Sequence, residues 1–194
     1  MLKLSLACVA SIAIGVCAEP QHFDAGPNTV LRLTDSVGFV TIEAWEQPSI
    51  EVSSSVLSGD ATVDSRREGD DVVVTTHGRR LNRARVDYVI RAPKSTRILI
   101  DHRSGEVNLI GFASDINVKE RDGQINVYVP ADAQYSVAAH TRLGGIRSEL
   151  AGSDRSRLGL RHDFAANTAG ATAKMDLRIS AGDIVVTRAT GPRQ

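Results

Sequence analysis

Residues 104–130 divide into three units of nine, SGEVNLIGF (104–112), ASDINVKER (113–121) and DGQINVYVP (122–130). Each opens on a small or acidic residue, continues with Gly or Ser and a polar residue, and closes on an apolar–Asn–apolar triplet. The triplets are Val107-Asn108-Leu109, Ile116-Asn117-Val118 and Ile125-Asn126-Val127, so Asn recurs every nine residues. A period of two within each triplet is that of a strand, with the apolar pair on one face and Asn on the other. Gly105, Ser114 and Gly123 mark the turns. This stretch predicts an all-β body built by repetition.

The same pattern extends in both directions. Upstream, Ser36–Ile42 (SVGFVTI) sets alternation behind a glycine, and Ala44–Pro48 (AWEQP) makes a corner before Ile50-Glu51-Val52. Val86, Tyr88 and Ile90 alternate with Asp87, Val89 and Arg91, and Ala92-Pro93-Lys94 ends that strand because proline cannot donate to a ladder. Downstream, strands restart at Gly144 and Gly182. The starts at Gly105, Gly123, Gly144 and Gly182 lie 18, 21 and 38 residues apart. Those intervals predict one, one and two copies of a coil near twenty residues, stacked in chain order as a right-handed β-helix or β-solenoid. An antiparallel β-sandwich is the alternative, since strand-turn units of this length also suit a meander. Gly152–Lys174 breaks the pattern, with Ala165–Ala173 read as a loop or flap.

The N-terminus reads as a leader. Lys3 precedes an uncharged apolar run from Leu4 to Val16, and small residues follow at Gly15 and Ala18, the layout of a secretory signal peptide over residues 1–18. Lipid attachment at Cys17 is the alternative. Residues 19–29 read as a polar tether, 30–188 as one repeat-β domain and 189–194 as a frayed tail. Both cysteines, Cys8 and Cys17, fall in the leader, which removes disulfides, thiolate catalysis and cysteine zinc sites from the exported chain. The location expected is the periplasm or the cell surface.

Of 23 basic and 23 acidic side chains only Lys3 lies in the leader, leaving 22 against 23. No net field points to nucleic acid, and aromatics at 4% give little for base stacking. Charge is uneven locally. Seven cations stand between Arg79 and Arg97 against Asp87 alone, and Arg79, Arg80, Arg83 and Arg85 are the candidate site for a polyanion.

Val86–Pro93 (VDYVIRAP), then Arg97–Ile100 and Ser104–Leu109, resemble the bacterial putative adhesin family. Ser180–Val186 (SAGDIVV) resembles its closing strand, and Ser36–Ile42 with Ile50–Val52 its opening. The resemblance implies an exported β-helix-like fold and supplies no catalytic residues. It departs at 152–174, where further repeats are expected.

The residues offer little chemistry of their own. Asp101, His102 and Ser104 hold triad residue types, but neighbours in a strand point to opposite faces and no nucleophile elbow is present. His22, His77, His102, His140 and His162 have no metal-ligand spacing and read as surface residues, with His162-Asp163 the nearest to a ligand pair. No cofactor or metal site is expected. Glu106, Asp115, Glu120 and Asp122 could serve a glycan-cleaving β-helix enzyme, which needs paired carboxylates in a cleft. The first expectation remains an exported, non-catalytic module that meets an envelope glycan, lipid or protein.

Overall fold

The computed structural model describes residues 19–80, 84–157 and 161–188. The leader, Arg83 and the tail after 188 lie outside them. Every regular element among the described residues is a strand, and no helix there is long and apolar enough to cross a membrane.

Four long strands form the centre: β2 (Val30–Trp45), β7 (Arg97–Ile110), β8 (Ile116–Val129) and β13 (Ala173–Arg188). Each is two arms joined at a glycine, and the buried parity changes across it. In β7 the even residues Ile98, Ile100 and His102 are buried before Gly105, and the odd residues Val107 and Leu109 after it. β8 does the same around Gly123, with Ile116, Val118 and Glu120 giving way to Ile125, Val127 and Val129. One residue spent at each change of parity explains why the sequence repeat is an odd number. Nine residues make one arm, and the stacking period is 18: Ile98 pairs with Ile116 and Asn108 with Asn126. Asn117 lies on the other arm, beside Leu99 and Asp176.

The four strands pair in parallel, in the order β2, β7, β8, β13. Their glycines align as Gly38, Gly105, Gly123 and Gly182. A Cβ on Gly105 would lie 1.8 Å from the Gly38 carbonyl oxygen, on Gly123 2.0 Å from that of Gly105, and on Gly182 1.9 Å from that of Gly123. With φ between +136° and +146° at these three positions, neither the space nor the backbone admits another residue.

Flanking strands complete one thirteen-stranded sheet. Along the edge of β2, its first arm takes β5 (Asp71–His77) and its second β6 (Arg85–Pro93), both parallel. Along the edge of β13, the first arm takes β9 (Tyr135–Leu143) and the second β10 (Ile146–Ser148), again parallel. Antiparallel strands finish each side. β3 (Ser49–Ser58) pairs with β6, β1 (Gln21–Asp24) with β3, and β4 (Thr62–Glu68) with β5. On the far side β12 (Arg161–Asn167) pairs with β9, and β11 (Ser153–Arg157) with β12. The path through the sheet has two ends, so it is open.

Three expectations change. Stacking does not follow chain order: β2 inserts between β6 and β7, and β13 between β8 and β9, so Gly182 separates Gly123 from Gly144. The junctions are alike in sequence, and nothing local tells one strand which copy to join. The poorly patterned 152–174 segment is largely sheet, as β11 and β12. The polar lead-in at 19–29 carries β1, which caps the outer edge of β3.

Both sets of arms send aliphatic side chains into one core, including Leu31, Leu33, Ile98, Val118 and Leu177 from the first arms and Ile42, Leu109, Ile125 and Val186 from the second. Burial of this kind stabilises by roughly 25 cal/mol per Å² of apolar surface removed from water.

Candidate functional site

Three residues before each aligned glycine, one inward position runs across the sheet. It is filled by Asp35 on β2, His102 on β7, Glu120 on β8, Ile179 on β13 and Thr141 on β9. All five are buried. His102 Nδ1 lies 3.4 Å from Asp35 Oδ2, with both side chains fully out of solvent. The other Asp35 oxygen accepts from Thr76 Oγ1 at 2.6 Å, and that hydroxyl meets the Tyr88 hydroxyl at 2.7 Å. Burial pushes the Glu120 carboxyl up to about 8; the amides of Gln124 and Gly105 oppose this, and Asp122 and Glu106 add to it. Neither Glu120 oxygen completes a hydrogen bond. Burial also raises the Tyr88 and Tyr135 phenols.

This ladder corrects two readings. His102 is core, with its neighbours Asp101 and Arg103 exposed, so the three triad residue types never converge. Glu120 is inside the sheet and unavailable as a surface acid. The parity of 98-100-102 and 116-118-120 carried the signal for both.

The remaining candidate carboxylates are engaged elsewhere. Glu106 accepts from Asn126 Nδ2 at 2.9 Å. Asp115 accepts from the Lys174 amide at 2.9 Å and lies 3.7 Å from Arg97. Asp122 holds Arg121 at 2.6 Å. Among the described residues no group of three His, Cys, Asp or Glu side chains is placed to hold a metal ion. Asp163 bonds His140 Nδ1 at 2.6 Å across the β9–β12 pairing, rather than its chain neighbour His162.

Arg79 and Arg80 are exposed in the turn after β5, and Arg83 lies outside the described residues. Arg85 bonds Asp87 at 3.1 Å and lies 4.4 Å from the centre of the Phe39 ring. The later cations of that stretch meet acids from elsewhere in the chain, as Arg91 with Glu51 at 3.0 Å and Lys94 with Glu46 at 2.5 Å.

A second concentration of positive charge lies on the outer face of the first arms, where the sequence shows no cluster. One row across the strands is Asp101, Lys119, Arg178, His140, Asp163 and Arg155. Two residues further along, the pairs on either side place Arg103, Arg121, Ser180 and Arg142 next to one another. Three depressions lie along these rows. One of about 370 Å³ over β7 and β8 shares Lys119, Glu120 and Ser180 with one of about 290 Å³ over β8, β13 and β9. The latter shares His140 and Arg178 with one of about 540 Å³ that reaches β12 and β11. Together they make a groove across six strands. β7, β8, β13, β9 and β11 each contribute one or two of these cations, and Arg161 on β12 adds another, so only the pairing assembles them.

No family model matches the chain, and no curated protein matches it in sequence. Among solved structures, a putative cell adhesion protein of Clostridium sporogenes aligns with 88% of this chain and 99% of its own at a TM-score of 0.51, with 13% identity. A putative adhesin of Bacteroides fragilis covers 89% and 97% at a TM-score of 0.32 and 6% identity. The first likeness is one of fold, and the second carries no weight.

Proposed function

We propose that the chain is an exported, non-catalytic, adhesin-like module of the bacterial cell envelope, built as stacked β-coils that present a repetitive outer surface to a ligand. The observation that carries this reading is the in-register stack of Gly38, Gly105, Gly123 and Gly182, which repeats each outward position from strand to strand. A surface of that kind suits a ligand that is itself extended. The leader-like N-terminus and the fold shared with the clostridial protein support the envelope setting. Arg79, Arg80, Arg83 and Arg85 remain a second polyanion surface within this proposal.

The test is a pull-down of the exported protein from its own envelope fraction with glycans and lipids intact, read by mass spectrometry. A reproducible glycan, lipid or protein partner is expected. An empty pull-down, or turnover of an envelope polysaccharide that Asp122→Asn abolishes, would overturn the binding-module reading in favour of a structural or glycan-cleaving role.

A further inference from the structure

The groove across β7, β8, β13, β9, β12 and β11 has a length, a charge and a floor that together select an occupant. We propose that it binds a linear acidic polysaccharide, with Lys119, Arg121, Arg142 and Arg178 gathering its anionic groups around Ser180. This rests on the reading of the chain as an envelope-binding module and adds the site and the chemistry of the ligand.

Length comes first. Six strands span five intervals of about 4.8 Å, so the groove runs for about 24 Å. It is open along its course, which suits an extended polymer better than a compact metabolite.

Charge is the second argument. Seven Lys and Arg side chains line the three depressions, against three outward carboxylates, Asp101, Asp163 and Asp176, while Asp122 beside them holds Arg121 at 2.6 Å. Asp176 holds Arg178 through two bonds, at 2.9 and 2.8 Å, fixing the guanidinium rather than removing it from the face. Arg103, Lys119 and Arg142 are exposed and make no ion pair among the described residues. The excess is greatest around Ser180, a small half-buried residue with Arg121 on one neighbouring strand and Arg142 on the other. Lys119 and Arg178 stand in the next row. An anionic group over Ser180 meets four exposed cations and a hydroxyl, and hydrogen bonds from charged donors are stronger than those between neutral groups.

The floor gives the third argument. Ala138, Ala165, Ser153 and Ser180 are small, so a sugar ring can approach the sheet between the charged rows. Phe164, the aromatic among the lining residues, is only 9% exposed. Without an exposed ring the groove offers no stacking platform for nucleobases, and it presents no large apolar anchor for an acyl chain.

The experiment measures binding of the exported protein to polygalacturonate, with dextran, polyglutamate and inorganic polyphosphate in parallel. Polygalacturonate is expected to bind, and its affinity to fall steeply between about 0.05 and about 0.5 M salt as screening shortens the reach of the charges. Arg121→Ser with Arg142→Ser should weaken binding about tenfold, two exposed charge contacts of under 1 kcal/mol each. Arg66→Ser with Arg147→Ser, on β4 and β10 and outside both basic surfaces, should leave it unchanged. Equal loss in both double variants would mean diffuse attraction and would overturn the site. Equal binding of polyglutamate or polyphosphate would overturn the saccharide class. If polygalacturonate does not bind while the envelope pull-down yields a neutral glycan or a protein, the groove proposal fails and the module stands. If both come back empty, both fail.

Discussion

Replacing Glu120 by Gln isolates the strangest group in the core. The carboxyl is 4% exposed, neither oxygen completes a hydrogen bond, and burial raises its pKa from 4.5 to about 8. An acid whose folded pKa lies above its unfolded one supports the fold fully below the unfolded value, and that support is lost as pH rises toward the folded value. The window here is about 4.5 to about 8. Each unit within it corresponds to 1.36 kcal/mol, so by pH 7 the loss is about 3 kcal/mol. The groups that face Glu120 are His102 on the next strand, Asp122 and Glu106 nearby, and the amides of Gln124 and Gly105. Glutamine keeps the volume and cannot ionise. At pH 4.5 the variant should melt close to the parent, and at pH 7 it should melt higher. For a domain of this size about 3 kcal/mol corresponds to about 6–12 °C. Calorimetry or fluorescence melts across that range, with Trp45 as reporter, provide the readout. A melting difference that stays flat from pH 4.5 to pH 8 would show that the carboxyl is not held in a raised state, and the account of the ladder would be wrong.

Two further perturbations test neighbouring features. Gly123→Ala places a Cβ 2.0 Å from the Gly105 carbonyl oxygen and 2.4 Å from Glu120 Oε1 at φ +145°, and should cost about 3 kcal/mol or more in urea unfolding. Gly26→Ala, with nothing within 4 Å of the new carbon, should stay within about 0.5 kcal/mol; similar losses in both would remove the stacking argument. Thr76→Val strands the Asp35 Oδ1 and Tyr88 hydroxyl contacts made at 2.6 and 2.7 Å and should cost about 2 kcal/mol. Tyr88→Phe, which leaves the Thr76–Asp35 bond intact, should cost less, and the reverse ranking would mean that Asp35 draws its support elsewhere.

The all-β class was legible because alternation and glycine punctuation are local properties. Val107-Asn108-Leu109 and Ile125-Asn126-Val127 announce half-buried strands, and the structure adds that Asn126 Nδ2 donates to Asn108 Oδ1 at 2.9 Å. The buried ladder is legible in principle, since Ile98, Ile100 and His102 share one parity, but the residue type of His102 argues for the surface and only its position argues for the core. Ile179 at the same level shows that the fold accepts an apolar residue there, so local chemistry gave no reason to expect ions. The insertion of β2 and β13 was not legible at all. Pairing partners depend on which edge is free when a strand arrives, and the parallel junctions look alike from any one of them. The groove inherits that difficulty, because Arg121 and Arg142 become near neighbours only once Ser180 lies between them.

The late arrival of β13 has a consequence for how the molecule comes into being. Until residues 173–188 are available, β8 and β9 have no strand between them, and each leaves a row of backbone groups unpaired beside exposed aliphatic side chains. No length of chain that stops before that point can close the centre of the sheet. β13 therefore joins β8 to β9, two strands that both precede it in the chain. Pairings so distant in sequence also make closure slow, and a product cut short at residue 172 would carry two open edges ready to join those of another copy.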